Sequence, residues 1–410
     1  MLTSLFKNQK GFAAIFATMI ILAAVLVVAS AISLSALTEK KITRNSLLSA
    51  QAYLAAESGV EDSLYRIIKG KNYQNSNSLD VGQAETTINI SDSGGQKIIA
   101  VSGQQDNRFR NLEVILGISA QSISFHYGVQ VGEGGLSMDN GSSVQGNVYS
   151  NGPISGANNA SVTGDVWVAG SNTLDSLSIG GHAHAHRISD CAIAGDAYYQ
   201  EISDSSVAGA SYPGSPDPAM ENMPISETNI EDWKTDAEAG GVYTGNYILD
   251  GSSASLGPKK IIGNLTVANG ADFTVTGTIY VTGSINISNN AKVRLGADYG
   301  SLSGVVLTDG MISVSNNSIF YGNGQSSFLL FLSDKTGEAI DIANNANTVI
   351  FYASRGNVSI SNNAILKEVT AYQITLSNNS QVIYESGLAS AKFSSGPGAG
   401  WEIKKWEEKP

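Results

Sequence analysis

The sequence predicts a chain in two parts: an α+β module built on a long membrane-spanning helix laid on a small antiparallel sheet, then an all-β right-handed parallel β-helix. Three observations predict this. The 26 residues from Phe12 to Leu37 carry no charge. Farther along, Asn-Asn or Asn-Gly pairs followed by Ala or Ser recur at intervals. Around those pairs apolar and polar residues alternate with the period of a strand. A chain of 410 residues has room for two or three domains.

The apolar run comes first. At about 1.5 Å per residue it makes a helix of about 39 Å, against a hydrocarbon core of about 30 Å. A cleavable secretory signal is the rival reading, and Ala29-Ser30-Ala31 offers it a cut site before Ile32, but its apolar core is ordinarily about 7–15 residues. Basic residues flank both ends, Lys7 and Lys10 before and Lys40, Lys41 and Arg44 after, so charge gives no orientation.

The run begins in a distinctive way. A short basic leader ends in Lys10-Gly11 and Phe12 follows at once. This resembles the class III leader of type IV pilins and related pseudopilins. Ala50-Gln-Ala-Tyr-Leu-Ala-Ala-Glu-Ser-Gly-Val-Glu61 is similar to the corresponding stretch of PilX-type minor pilins. The resemblance covers about the first 70 residues. It implies a leader over 1–11, cleavage between Gly11 and Phe12, a transmembrane helix over 12–37, and the bulk of the chain outside the cell membrane, at the cell surface or in a pilus. It also implies other pilin subunits and the pilus assembly machinery as partners. One position departs: the glutamate that shaft pilins carry five residues after the cut is Phe16 here, as is common in the PilX type.

From Thr38 to Ile68 the helix continues, with Ile42, Leu48, Ala52, Ala55, Val60, Leu64 and Ile68 as its apolar stripe and Gly70 as its stop. No partner helix follows, so the stripe is expected on a sheet. Thr86–Ile90, Lys97–Val101 and Asn111–Leu116 are the strand candidates, separated by Ser93-Gly-Gly95 and Gly103–Asn107. Residues 38–118 form this pilin-like module.

Beyond Ser124 the pairs take over. Successive pairs from Asn269-Gly270 to Asn378-Asn379 are 20, 27, 28, 18 and 16 residues apart, the mark of a solenoid. Asparagine tolerates the left-handed backbone of a tight corner, and its side chain can bond its counterpart on the next coil. Asn290, Asn317, Asn345, Asn363 and Asn379 are the expected corner residues. An antiparallel β-sandwich is the alternative fold, because Asn-Gly also makes hairpins. Against it, a meander needs a turn about every 8–12 residues.

Four of the eight prolines fall between Tyr212 and Pro224, which bars strand and helix alike. An acidic helix follows over Asn229–Ala239. This excursion, 211–240, separates a first β part (125–210) from a second (241–390). The tail, 391–410, with Gly396-Pro-Gly398 and two tryptophans, is expected to cap the open end of the last coil. Residues 125–405 resemble, more loosely, the β-helical passenger of some PilX-like surface proteins.

Composition limits the function. There are 24 basic and 36 acidic side chains, a net charge of −12, which argues against nucleic acid. Cys191 is the one cysteine, so no intrachain disulfide forms. The best candidate for chemistry is Gly180-Gly-His-Ala-His-Ala-His186. On a strand His182, His184 and His186 point to one face and two could share a transition metal, with Asp190 or Cys191 as a further ligand. The bland reading is a row of solvated side chains. No other cofactor is expected. Asp165, Asp196, Asp250, Asp272, Asp309 and Asp341 are scattered without the pairing that glycan cleavage needs. Two readings stand. One is a non-enzymatic minor pilin or pseudopilin, at a filament tip or initiating it, whose head serves surface structure or adhesion to surface glycans, a host or an abiotic surface. The alternative is a membrane-tethered polysaccharide lyase or hydrolase.

Overall fold

The computed structural model describes residues 9–68, 73–93, 96–118, 120–324, 327–394 and 401–409. Most of the leader (1–8), Gly70, Gly94-Gly95 and Gly396-Pro-Gly398 lie outside them, as do the side chains of Gln9 and Lys10.

Helix α1 runs unbroken from Gln9 to Ile68. From Phe12 to Leu47 every residue is exposed. By length and composition this segment can cross a membrane. The second half is different: Ala52, Ala55, Ala56, Val60, Leu64 and Ile67 are buried. They pack on an antiparallel sheet of β1 (Ser76–Val81), β2 (Ala84–Ser93), β3 (Gln96–Gln105) and β4 (Arg108–Ile118). Ile42, placed on the stripe by its spacing, is 63% exposed, because the sheet does not reach that far. A Cβ on Gly103 would overlap the backbone of Ala52 and Ala56, and one on Gly59 would stand 2.8 Å from Thr86. The small residues of the Ala-Ala-Glu-Ser-Gly stretch thus let helix and sheet approach closely. Strand β1 has no signature in the sequence, since it is a polar edge strand with mostly exposed side chains.

The tail is not a cap. Trp401–Lys409 adds to this same sheet, antiparallel to β4, with Trp406 opposite Val114 and Glu408 opposite Leu112. It satisfies a backbone edge of β4 that would otherwise be bare. Just before it, Lys392–Ser394 pairs antiparallel with β5 (Ala120–Ser122), so the chain enters and leaves the second region side by side.

Apart from one helix and two short 3-10 turns, that second region is built of strands. Its strands pair in parallel and in register, not in the antiparallel manner of a sandwich. One column reads Leu265, Ile285, Ile312, Ile340, Val358 and Ile374. It continues to Leu136, Ile154, Leu174, Ile188 and Ile202. These side chains line one continuous apolar core. The path departs from simple sequence order. The chain enters mid-stack at β6 (Val129–Met138) and β7 (Ser143–Gln145) and winds outward to Ser211–Pro213. It crosses to the opposite end at Val242 and winds back until Glu368–Leu376 pairs with β6 and Gln381–Ile383 with β7. The two β parts separated in sequence are therefore one ladder in space. The last coil has no open end to cap, because the first coil covers it.

The proline-rich excursion is the return path. It runs along one face of the stack: Tyr127 Oη donates to Glu221 Oε1 at 2.9 Å and Gln130 Nε2 to the Asn222 carbonyl at 2.9 Å. Farther on, Tyr352 Oη donates to the Ile225 carbonyl at 2.8 Å. Helix α2 (Glu227–Ala239) starts at Ser226, whose Oγ accepts from the Asn229 N–H while the Asn229 side chain accepts from Ser226 N–H. Its Ile230, Trp233 and Ala237 cover the outward-facing Val305, Leu307, Leu330, Leu332, Ile350 and Tyr352. Lys234 bonds Asp309 at 3.0 Å and Asp334 at 2.9 Å. Burial alone would lower the Lys234 ammonium, but those bonds more than offset it and raise its pKa.

Candidate functional site

Two polar ladders run along the stack, one at each of two corners. At the first, Asn269, Asn289, Asn290, Asn316, Asn317, Asn344, Asn345, Asn362, Asn363, Asn378 and Asn379 all have φ between 52° and 63°. The second residue of each pair, the corner residue expected from sequence, donates its backbone N–H to the first residue of the next coil: Asn290 to the Asn316 carbonyl at 2.8 Å, Asn363 to Asn378 at 3.0 Å. The first residue of each pair carries the side-chain ladder. Asn378 Nδ2 donates to Asn362 Oδ1, Asn362 to Asn344, Asn344 to Asn316, Asn316 to Asn289 and Asn289 to Asn269, at 2.8–3.1 Å. The ladder ends where Asn269 donates to Asp250, which can only accept.

The other corner is a Gly-Asn or Gly-Asp repeat that the Asn-pair reading missed. Asn147 Oδ1 accepts from the Asp165 N–H at 2.9 Å, Asp165 from His182 at 2.7 Å and Asp196 from Ala210 at 2.8 Å. In the second part Asn246 and Asn264 do the same for Asn264 and Ser284. Glycines of this corner sit directly over the backbone of the glycine one coil away, Gly164 over Gly146, Gly195 over Gly181 and Gly283 over Gly263, where a Cβ would overlap. The signal is legible in hindsight as Gly-Asn147-Val, Gly-Asp165-Val, Gly-Asp196-Ala, Gly-Asn246-Tyr and Gly-Asn264-Leu.

This ladder explains the histidines. His182 occupies the cap position, and its Nδ1 accepts from the Asp196 N–H at 2.9 Å. His184 lies flat in a file of rings, 5.6 Å from Trp167 and 4.2 Å from Tyr198. Burial lowers its pKa. His186 Nδ1 meets Asp217 of the return strap at 3.0 Å. All three do point outward from the strand, but each has its own partner. Among the described residues no group of three His, Cys, Asp or Glu side chains is gathered as a metal site. Cys191 is buried on the opposite, inward side, and burial pushes its thiol up to about 11.

The acids have separate surroundings too. Asp165 and Asp196 cap backbone, Asp250 ends the asparagine ladder and Asp272 pairs with Arg294 at 2.7 Å. Asp309 holds Lys234 and accepts from Tyr280 Oη at 2.5 Å. Burial raises Asp341. Glu368, next to the join of the two parts, is fully buried. Its Oε1 accepts from Thr370 Oγ1 at 2.5 Å, its Oε2 has no partner among the described residues, and burial raises it well above the ordinary carboxylate range.

Among the described residues, the first half of α1 packs on no other element. Phe12, at 74% exposure, opens it and Phe16 follows one turn later at 59%. No protein-family model matches the chain, and no curated protein matches it in sequence. Among solved structures it is similar to the competence-associated pilin ComZ from Thermus thermophilus, at 12% identity and a TM-score of 0.29, over 88% of this chain and 98% of that one.

Proposed function

We propose that this chain is a membrane-anchored, pilin-like surface subunit that carries a right-handed parallel β-helical head. The observation that carries the reading is the division of α1: one unbroken helix, bare and uncharged from Phe12 to Leu37, then sealed by small residues onto an antiparallel sheet. A bare apolar helix of that length is unfavourable in water and stable in a bilayer or among like helices. The handedness rests on the general rule that parallel crossovers in one sheet are right-handed.

The partners of this reading are the membrane, other pilin subunits and the assembly machinery, with a leader removed between Gly11 and Phe12. The head is an adhesive or structural element facing glycans or another surface. We place the subunit at the tip of a filament or at its start. Phe16 lacks the carboxylate that would neutralise the amine of a subunit ahead, and an unpaired charge in a helix bundle costs several kcal/mol. A tip subunit has none ahead.

Mass spectrometry of the membrane-extracted protein tests the reading. It should give a chain that starts at Phe12 with a methylated amine. A start at Ile32, or an intact Met1, overturns it. Gold label on the head should mark filament ends; label spaced along the shaft overturns the tip placement alone.

A further inference from the structure

Because the chain enters mid-stack, both outer ends of the stack are made of internal coils, and the two ends differ. One is guarded. Its outermost strands, Ser206–Val207 and Ser211–Pro213, are short, and Pro213 has no N–H to offer. Glu201 and Asp204 lie beside them, and Gly214 and Ser215 fold back to bond the Tyr199 carbonyl. Among the described residues the other end carries no proline on its outermost strands, although Val242–Thr244 is as short as Ser211–Pro213 and Asp250 lies on the neighbouring strand. Val242–Thr244, Tyr247–Asp250 and Ser253–Leu256 each pair on one side only, with Lys260–Ile262, Leu265–Ala268 and Asp272–Val275. Among the described residues no strand pairs their other side. From Val242 to Leu256 the one charged residue is Asp250. Val242 is 48% exposed, Tyr243 42% and Ile248 66%.

Such an edge is a template for another coil of the same outline. This molecule already contains one such mating without a chain connection: Val369, Ala371, Ile374 and Leu376 against Val129, Val131, Leu136 and Met138, all eight buried. We propose that the outer edge of the Val242–Leu256 coil is a self-association surface, and that its occupant is the same coil of a second copy of this chain. The two copies are related by a two-fold axis, with Tyr247–Asp250 antiparallel to its own counterpart and Ile248 near the axis. Head-to-tail mating is disfavoured by the proline and the acids of the opposite end, which would bring Asp204 toward Asp250. The proposal goes beyond the anchoring and pilin-like reading and does not depend on it.

Disulfide trapping on the full-length chain in detergent tests it. Ile248→Cys places an exposed thiol at the proposed axis, while the native Cys191 is buried. Mild oxidation should give a reducible Ile248→Cys homodimer. Adding Val242→Asp and Tyr243→Asp to that variant should cut its yield at least tenfold. Differently tagged Ser206→Cys chains, mixed in equimolar amount, should form no mixed dimer with it. Predominance of the mixed dimer would mean head-to-tail stacking and would overturn the proposal. So would the absence of any dimer through Ile248→Cys, or a homodimer indifferent to the two aspartates.

Discussion

Asn140 Nδ2 donates to Asn378 Oδ1 at 3.1 Å across 238 residues of chain. This bond carries the asparagine ladder over the join between the first coil and the last, and Asn158 extends it by donating to Asn140 at 3.1 Å. A double-mutant cycle on Asn140→Ala and Asn378→Ala should give a coupling of about 0.5–1 kcal/mol, modest because both amides are exposed. Denaturant unfolding of the two single variants and the double measures it. Additive losses would mean that the bond contributes nothing at the join.

Asn290 has φ 63°. A β-branched residue there meets the left-handed penalty, so Asn290→Val should cost on the order of 1–3 kcal/mol. Asn290→Gly removes the strain but also a side chain that bears little of the ladder, and should stay within about 0.5 kcal/mol of the parent. Thermal unfolding of both variants side by side separates corner strain from a general loss.

Glu368 gives a pH dependence of definite sign. Its folded pKa lies above its unfolded value, so the buried acid is tolerated while protonated. Stability is then lost as pH rises from the ordinary carboxylate range, about 4.3, toward the folded value. Glu368→Gln should match the parent near pH 4 and exceed it by on the order of 1–3 kcal/mol at pH 8. Equal stability of the two proteins at both pH values would remove the buried-acid account.

His182 should be replaceable by an acceptor of similar reach. Asn147 and Asn264 fill the equivalent corner elsewhere, so His182→Asn should cost less than about 0.5 kcal/mol. His182→Leu leaves the Asp196 N–H without its bond and should cost about 0.5–1.5 kcal/mol. Unfolding midpoints at pH 7.5 decide. A larger loss from His182→Asn than from His182→Leu would contradict the capping role.

What the sequence made legible is what neighbouring residues decide. A charge-free run makes an apolar helix wherever it lies, and an Asn pair before a small residue makes a left-handed corner in any coil. The stripe on α1 was readable from Leu48 onward because 3.6-residue periodicity and burial coincide there. It misled at Ile42, where periodicity persists past the end of the sheet. The pairing of β6 with Glu368–Leu376, and of β4 with Trp401–Lys409, was not readable. A strand's alternation names the face it buries and never the strand beside it. The histidine row was readable as outward-facing. That His182 caps Asp196 depends on one coil lying over the next, which no local pattern states. The Gly-Asn and Gly-Asp corner was visible in principle, but its members include His182 and Ser284, and a motif that admits such substitutes has no fixed spelling.

The side-by-side pairing of Ala120–Ser122 with Lys392–Ser394 has a mechanical consequence. Both connections run from the stack into adjacent strands of one sheet, β4 and Trp401–Lys409. A pull between the stack and α1 is therefore carried by the covalent link through β4 and, beside it, by Trp401–Lys409, which is held to β4 along its length by strand pairing. Neither outer end of the stack holds a chain terminus, so tension cannot peel coils off one after another like thread from a spool. The first event under load has to be the shearing of the sheet at these two strands or the parting of the central join, each of which breaks many backbone bonds at once. Load applied between the stack and α1 would meet a stiff coupling that fails late and abruptly.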